Sequence, residues 1–190
     1  IYSMTKPITS VALMMLVEEG LIALDDPVHR YIPQWRNLGV YEGGFLETFR
    51  TRPTKAPMRI IDLLRHTSGL TYGLQQRTNV DAAYRKFGFG NPAGSCTLDG
   101  MIDALANIPL EASPGELWNY SVSTDVLGYL VGKLSGMPFE TFLRQRILDP
   151  LGMVDTDFHV PAAKAPRLAA EKEVLGDRHA GEQPPVLWHV

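Results

Sequence analysis

A serine and a lysine three positions apart stand near the start of the chain, in the run Ser3-Met4-Thr5-Lys6. Side chains at positions i and i+3 of a helix lie on the same face, so the lysine amine can reach the serine hydroxyl. A serine hydroxyl is a weak nucleophile until a neighbouring base takes its proton. A lysine can be that base when burial or positive neighbours lower its pKa. The pair therefore predicts a nucleophilic serine, and a simple N-cap role for Ser3 is the alternative.

The segment that follows this pair predicts a helix. Its apolar residues recur at steps of three and four, at Ile8, Val11, Ala12, Met15 and Leu16. Such spacing gives a helix one buried face, and Gly20 is a typical stop signal. We therefore predict a helix that begins at Ser3 and ends at Gly20. The free backbone N–H groups and the positive end of the helix dipole would favour negative charge that develops beside Ser3.

A tyrosine in the second half of the chain is a further candidate for proton transfer. Tyr120 lies between a turn at 114–115 and a predicted helix, where irregular backbone can present its hydroxyl to a cleft. A lysine ammonium beside a tyrosine favours the ionised phenol, which can relay protons between a nucleophile and a leaving group. The alternative is a half-buried tyrosine whose hydroxyl only satisfies a hydrogen bond.

Helices are the main elements predicted to position these groups. Apolar spacing and stop signals predict further helices over 60–64, 98–107, 126–134 and 139–148. Residues 21–52 combine turn chemistry with scattered aromatic residues and predict irregular chain, and the segment beyond Phe158 is predicted to be loop. No convincing set of alternating strands is present. The sequence therefore predicts a mostly helical unit with long loops.

The composition excludes several classes of protein. The 190 residues are 45% hydrophobic and 21% charged, which disfavours collagen-like, disordered and transmembrane chains. A formal net charge of -3 offers no basic surface for nucleic acid. The single cysteine, Cys96, can form neither an internal disulfide nor a cysteine-based zinc site. We therefore expect no nucleic-acid partner and no membrane span, and the compartment stays open with the cytoplasm slightly favoured.

Motifs for metal and nucleotide chemistry are absent or weak. The chain contains no HExxH, no GxxxxGK[ST] and no GxSxG, which excludes zincin, P-loop and α/β-hydrolase chemistry. The spacing of Gly88, Gly90 and Gly94 departs from that of a dinucleotide loop and favours a plain loop. Asp155 and Asp157 have no further ligands nearby in sequence, which favours a solvated loop over a metal pair. We therefore expect no metal and no organic cofactor.

Four motifs in a fixed order along the chain resemble one superfamily of serine hydrolases. They are Ser3-Met4-Thr5-Lys6, His66-Thr67-Ser68-Gly69-Leu70, Pro114-Gly115 followed by Tyr120-Ser121-Val122, and Pro150-Leu151-Gly152-Met153 with Asp155-Thr156. The S-x-x-K signature occurs in β-lactamases and penicillin-binding proteins. The chain is thus similar to the penicillin-binding serine hydrolases, which include class C β-lactamases, DD-peptidases and family VIII carboxylesterases.

The resemblance implies an α+β fold of the β-lactamase/DD-peptidase type and a role for several residues. Ser3 is the expected acylated nucleophile, with Lys6 as its basic partner and Tyr120 as the proton relay. The backbone N–H of Ser3 is expected to form half of an oxyanion hole. The candidate residues of the substrate pocket are Tyr2, Trp118 and Val122. Class C β-lactamases and peptidases usually carry Asn where this chain has Val122, so this motif looks more like that of the family VIII esterases.

These expectations describe a carboxylesterase that cleaves short-chain esters through an acyl-enzyme on Ser3. The alternatives are a class C-type β-lactamase or DD-peptidase, with β-lactams as substrates, and a catalytically silent interaction domain. Members of the superfamily are much longer, and their third motif and most of their sheet strands are expected outside this sequence; His179-Ala180-Gly181 comes too early to be that motif. Residues 1–190, which start without an initiator Met, are therefore expected to be the central part of a single domain. The oligomeric state stays open.

Overall fold

The secondary structure comes from a computed structural model that describes residues 2–89 and 97–167, with Tyr2 described only through its backbone. The helices and strands are, in chain order, α1 (Thr5–Glu18), β1 (Gly39–Gly43), β2 (Arg50–Pro53), α2 (Ile60–Leu64), α3 (Asn79–Lys86), α4 (Leu98–Leu105), α5 (Ser123–Ser135) and α6 (Phe139–Leu143). A π-helical turn over Arg144–Leu148 follows α6 directly. The described chain is therefore helix-rich with one small sheet.

Helix α5 forms the centre of the hydrophobic core. Helix α1 packs along it, and α2, α4 and α6 pack around it. The buried apolar residues of α1 and α5 are Ala12, Leu13, Leu16, Val126, Leu127, Leu130 and Val131. Their three- and four-residue spacing brings them to one face of each helix, which confirms the predicted helical period. The left-handed backbone of Gly136, with a φ of +70°, follows the last residue of α5.

The start of α1 differs from the prediction. The α-helix begins at Thr5, because residues 2–4 form a 3₁₀ turn before it. Met4 occupies the N-cap position and makes no side-chain capping bond. Pro7 lies in the first turn of α1, where a backbone N–H has no acceptor within the helix and its loss costs little. Ser3 is therefore not the N-cap.

The buried face of α1 is also rotated from the predicted one. Thr9, Leu13 and Leu16 are buried, whereas Val11 is half exposed. The apolar residues of α1 cover more than one face, so their spacing alone leaves the orientation of the helix open. Contact with α5 selects the face that is buried.

An antiparallel hairpin lies in the region predicted to be irregular. Strand β1 pairs with β2, and Val40 stands opposite Arg52. Val40 is the one residue of the two strands that is fully buried, so the sequence carries no alternation of apolar and polar residues there. The N–H of Leu110 donates to the Gly39 carbonyl (2.9 Å), and the Tyr41 N–H donates to the Leu110 carbonyl (2.8 Å). These bonds connect the hairpin to the segment that leads to Tyr120.

Two helical segments also differ from the prediction. The unpredicted α3 starts at a capping box, in which the Thr78 hydroxyl accepts from the Asp81 N–H (3.3 Å) and the Asp81 carboxylate accepts from the Thr78 N–H (2.9 Å). The single helix predicted over 139–148 is α6 followed by the π turn, where the Asp149 N–H donates to the Arg144 carbonyl (2.9 Å). The extra residue in that turn changes the direction of the side chains that follow.

Several sequence predictions lie outside the described residues. They are those for the glycine-rich loop beyond Phe89, Cys96, the tail after Arg167 and the run His179-Ala180-Gly181. Just before that tail, Ala162–Arg167 forms a 3₁₀ turn. Within 2–89 and 97–167, no helix is both long and apolar enough to cross a bilayer.

Candidate active site

Ser3, Lys6 and Tyr120 come together at the start of α1. The Ser3 hydroxyl oxygen lies 2.6 Å from the Tyr120 hydroxyl oxygen, although the two residues are 117 positions apart. The Lys6 ammonium donates to the Ser3 Oγ over 3.5 Å and lies 4.7 Å from the centre of the Tyr120 ring. The three predicted side chains therefore form one hydrogen-bonded group with the serine in the middle.

The electrostatics of this group favour an ionised tyrosine. Partial burial by itself raises the pKa of Tyr120, but the interactions with Lys6 and Ser3, including the positive charge of Lys6, outweigh it, so the pKa is lowered. A phenolate at this position can accept the proton of the Ser3 hydroxyl. Because Ser3 lies in the 3₁₀ turn that leads into α1, its backbone N–H is among those that lack an acceptor within the helix.

The loop that carries Tyr120 is held by the loop after α2. Four backbone hydrogen bonds join residues 66–71 to residues 111–122: Glu111 N–H to Gly69 O (2.8 Å), Gly115 N–H to Thr67 O (2.7 Å), Asn119 N–H to His66 O (2.8 Å) and Val122 N–H to Thr71 O (3.1 Å). Gly69 has a φ of +85°, and a Cβ there would lie 2.1 Å from the Ala112 carbonyl oxygen. Only glycine allows this close approach, so Gly69 fixes the distance between the two loops.

A buried chain of hydroxyl groups supports the backbone on both sides of Tyr120. The His66 Nδ1 lies 3.2 Å from Ser121 Oγ, which lies 2.8 Å from Ser123 Oγ, which in turn lies 2.8 Å from Ser68 Oγ. The three serines are buried, and each hydroxyl has a partner, as buried polar groups require. This chain of hydrogen bonds joins α5 to both loops.

His66 also contacts the ring of Tyr120. The two ring centres are 5.0 Å apart at an angle of 37°. The backbone of His66 is left-handed, with a φ of +56°, which costs energy for a residue other than glycine. Burial and the charge of Lys6 lower the pKa of His66, so the neutral imidazole is favoured beside the lysine. His66 belongs to one of the four motifs that resemble the superfamily, but the sequence predicted no role for it.

Asp125 adds a negative group to the same site. It lies in the first turn of α5, and desolvation raises its pKa to about 6, although its own backbone N–H and the charge of Lys6 act in the other direction. Burial raises the pKa of Tyr72, and the charge of Asp125 adds to that effect. At Tyr120 the same charge opposes the lowering of the pKa by Lys6 and Ser3. The ionisation of Asp125 therefore acts on the tyrosine whose hydroxyl contacts Ser3.

An open cleft of about 420 Å³ adjoins Tyr120. Its lining residues are Tyr72, Leu74, Gln75, Arg77, Trp118, Asn119 and Tyr120. Of the predicted pocket residues, Trp118 lines the cleft and is 66% exposed. Val122 is 1% exposed and packs in the hydrophobic core, so the structure gives no support to its predicted contact with a substrate. The side chain of Tyr2 lies outside the described residues.

Carboxylates near the end of the described chain form surface ion pairs. Asp155 pairs with Arg167 (2.7 Å), and Asp157 pairs with Arg144 (2.7 Å). Within 2–89 and 97–167, one group of side chains has the spacing of metal ligands, and it consists of the exposed Glu140, Asp157 and His159. Since Asp157 is already bonded to a guanidinium, this geometry favours ion pairing over metal binding.

Comparison with known proteins agrees with the predicted resemblance. The model of the Beta-lactamase family matches residues 1–186. Protein Rv1367c of Mycobacterium tuberculosis is 40% identical over 170 residues, which are 90% of this chain and 41% of that protein. Esterase EstB of Burkholderia gladioli is 35% identical over 159 residues, which are 82% of this chain and 37% of that esterase.

Solved structures agree with the predicted fold. EstCE1, described as a hydrolase with promiscuous acyltransferase activity, superposes with a TM-score of 0.69 at 29% sequence identity. The superposition covers 85% of this chain and 40% of the EstCE1 chain. The chain thus spans about two-fifths of the length of these relatives. The α+β fold of the β-lactamase/DD-peptidase type is confirmed, and the chain belongs to the beta-lactamase family of serine hydrolases.

Proposed function

We propose that this chain carries the nucleophile of an enzyme that hydrolyses short-chain carboxylic esters, with Ser3, Lys6 and Tyr120 as its catalytic residues. The observation that carries the proposal is the hydrogen bond of 2.6 Å between the hydroxyl groups of Ser3 and Tyr120, with the Lys6 ammonium 3.5 Å from the same serine oxygen. A nucleophile in contact with a base, which a third group orients, is the arrangement that nucleophilic catalysis needs.

The first half of the reaction transfers the acyl group to Ser3. Its Oγ attacks the ester carbonyl carbon while its proton passes to the phenolate of Tyr120. The positive charge of Lys6 stabilises that phenolate before the transfer and the developing negative charge during it. The backbone N–H of Ser3 donates to the oxyanion. When the tetrahedral intermediate collapses, the bond to the alcohol breaks, and Tyr120 returns its proton to the departing oxygen.

The second half of the reaction restores the serine. Water enters the space left by the alcohol and loses a proton to Tyr120 as its oxygen attacks the acyl carbon. The second tetrahedral intermediate then releases the carboxylic acid, and Ser3 Oγ recovers the proton from Tyr120. Tyr120 thus serves as base and acid in turn, and the reaction consumes one ester and one water.

The preference for esters over amides rests on the relatives. Both EstB and EstCE1 carry names that place them among esterases or hydrolases, and EstB is 35% identical to this chain. The presence of Val122 in place of Asn adds no support, because Val122 is buried in the core. The open form of the cleft beside Tyr120 suits a small acyl or alcohol group that enters from solvent.

Covalent labelling tests the proposal. In the full-length protein, a fluorophosphonate should attach to Ser3, as peptide mapping by mass spectrometry would detect. Turnover of 4-nitrophenyl acetate should disappear in Ser3→Ala. Ser10→Ala on the same helix is the matched control and should keep both properties. Label at a different serine, or no label with an intact fold, would overturn the role of Ser3. Faster turnover of a chromogenic cephalosporin than of any ester would replace the esterase by a β-lactamase.

A further inference from the structure

The cleft beside Tyr120 is lined by two chemical kinds of side chain. Leu74 and Trp118 are apolar and are 71% and 66% exposed. Exposed apolar side chains gathered around a concavity are typical of a surface that binds a ligand. The polar lining residues include Gln75, Arg77 and Asn119. A ligand that fills the cleft would therefore meet apolar surface and also polar groups.

Arg77 is the one charged group among the seven described residues that line this cleft. Its Nη2 donates to Asn119 Oδ1 over 2.6 Å and lies 3.5 Å from Glu111 Oε2. The side chain is nevertheless 54% exposed. Since a guanidinium carries five N–H donors and these contacts use one nitrogen, the remaining edge is available to a ligand in the cleft.

The residues behind Arg77 hold its guanidinium in place. The Asn119 side chain is buried and donates through Nδ2 to the Leu70 carbonyl (2.9 Å) and to Glu111 Oε2 (2.7 Å). Glu111 also accepts from the Thr78 hydroxyl (2.5 Å). A guanidinium that is already oriented loses less conformational entropy when it binds an anion than a free side chain would.

From this arrangement we infer that the cleft is a binding subsite for a carboxylate carried by the ester substrate, held by Arg77. The inference rests on the proposed ester hydrolysis, because Tyr120 lines the same cleft and contacts the nucleophile. The substrate class is then a half-ester: a molecule with one ester bond, an apolar spacer and one free carboxylate. Arg77 is a specificity residue in this scheme and takes no part in proton transfer.

The charge balance favours a carboxylate over a phosphate. The cleft offers a single cation among its described lining residues, and the Glu111 carboxylate lies directly behind it. A phosphate monoester carries close to two negative charges at neutral pH and needs more positive charge than this. A carboxylate matches the planar edge of one guanidinium and can accept two N–H bonds from it.

Matched pairs of esters test the inference in the full chain. In the first pair, mono-4-nitrophenyl glutarate carries a carboxylate in its acyl part, and 4-nitrophenyl butanoate is its neutral partner. In the second pair, 4-acetoxybenzoate carries a carboxylate in its alcohol part, and 4-tolyl acetate is its neutral partner. In at least one pair, the acidic ester should have the higher kcat/KM. Arg77→Gln should lower that preference about tenfold, the scale of a hydrogen bond to a charged group that solvent partly screens. The kcat/KM of the acidic ester should therefore fall by a larger factor than that of its neutral partner.

Two further variants separate the charge from the fold. Arg30→Gln removes a surface arginine that does not line the cleft and is 65% exposed, against 54% for Arg77, and it should leave the preference as it is in the parent chain. Arg77→Lys keeps the charge but loses the planar edge, so it should restore part of the preference. Arg77→Gln could leave the ratio of kcat/KM for the acidic ester to that for the neutral ester unchanged in both pairs. This result would overturn the inference, while the proposed ester hydrolysis itself would stand.

A binding measurement decides the case in which no ester is hydrolysed. In Ser3→Ala, calorimetric titration with 4-phenylbutanoate should give tighter binding than with its neutral amide, and Arg77→Gln should remove the difference. Such a result supports the subsite even if the proposed esterase activity fails. Equal affinity for the acid and the amide, with or without Arg77, would reject the subsite.

Discussion

Replacing Lys6 by Met separates two roles that a lysine can have at this site. The side chain makes two contacts, a hydrogen bond of 3.5 Å to Ser3 Oγ and a cation–π contact of 4.7 Å with the Tyr120 ring. Methionine keeps the length and much of the apolar stem, so the fold should survive, and only the charge and the donor are lost. The pKa of Tyr120 should then rise, because Lys6 is the main group that lowers it against the effect of burial.

The size of the effect follows from the loss of the phenolate. At neutral pH, acylation in Lys6→Met should fall by about a hundredfold or more, the typical contribution of a positioned base. Activity that needs the phenolate increases as pH rises through the pKa of Tyr120. A higher pKa therefore shifts the rising limb of the pH profile to higher pH, and the variant should recover part of its rate in alkaline buffer.

The assay is the second-order rate of fluorophosphonate labelling of Ser3 between pH 6 and pH 10, with the denaturation midpoint as a measure of folding. Lys133→Met is the matched control, because Lys133 makes the same kind of pair with Tyr129, at 3.4 Å to its hydroxyl and 5.5 Å from its ring centre, but with no serine attached. This control should behave like the parent chain. A Lys6→Met variant that labels at the parental rate with an unmoved pH profile would refute the role assigned to Lys6.

Three further predictions concern the scaffold of the site and are read from denaturation curves. Gly69→Ala should lower the free energy of unfolding by about 3 kcal/mol or more, because the added Cβ meets the Ala112 carbonyl. Gly136 has a similar φ but open space around it, so Gly136→Ala should cost only about 1 kcal/mol. Equal losses in the two variants would contradict the packing argument. The pKa of Asp125 is raised, so ionising this carboxyl group destabilises the fold. The free energy of unfolding of the parent chain should therefore decrease by about 1 to 3 kcal/mol between pH 4 and pH 6. Asp125→Asn should not show this decrease. Val122→Asn should lower the free energy of unfolding by about 2 kcal/mol and should not increase cephalosporin turnover. A stable variant that hydrolyses cephalosporins faster would indicate that Val122 does line the substrate pocket.

Local patterns in the sequence predicted the features that depend on neighbouring residues. The three-residue step between Ser3 and Lys6 brings the amine to the hydroxyl whether this turn is 3₁₀ or α-helical, so a start of α1 at Thr5 instead of Ser3 left the pair intact. The helical spacing around Val126 to Leu134 likewise predicted α5, because a helix satisfies its own backbone hydrogen bonds and needs only one apolar face.

Local patterns failed where pairing or register decides the structure. The β1–β2 hairpin shows no alternation, since Val40 alone is fully buried in it, and its strands form because of backbone bonds to each other and to Leu110. Apolar residues on several sides of α1 left its buried face open until α5 selected one. The capping box at Thr78 was a local signal for α3, and it could have been found.

The sequence by itself indicated the pairing of Ser3 with Lys6 and the family, because these depend on residue types and on spacings within one turn or one motif. Only the tertiary structure decided which distant residues surround them. It brought Tyr120 within hydrogen-bonding distance of Ser3, turned the neighbouring Val122 into the core and placed Arg77 on the cleft. The physical reason is that two loops without regular periodicity carry these residues. Their relative position depends on backbone bonds between the loops and on a contact at Gly69 that no other residue would allow.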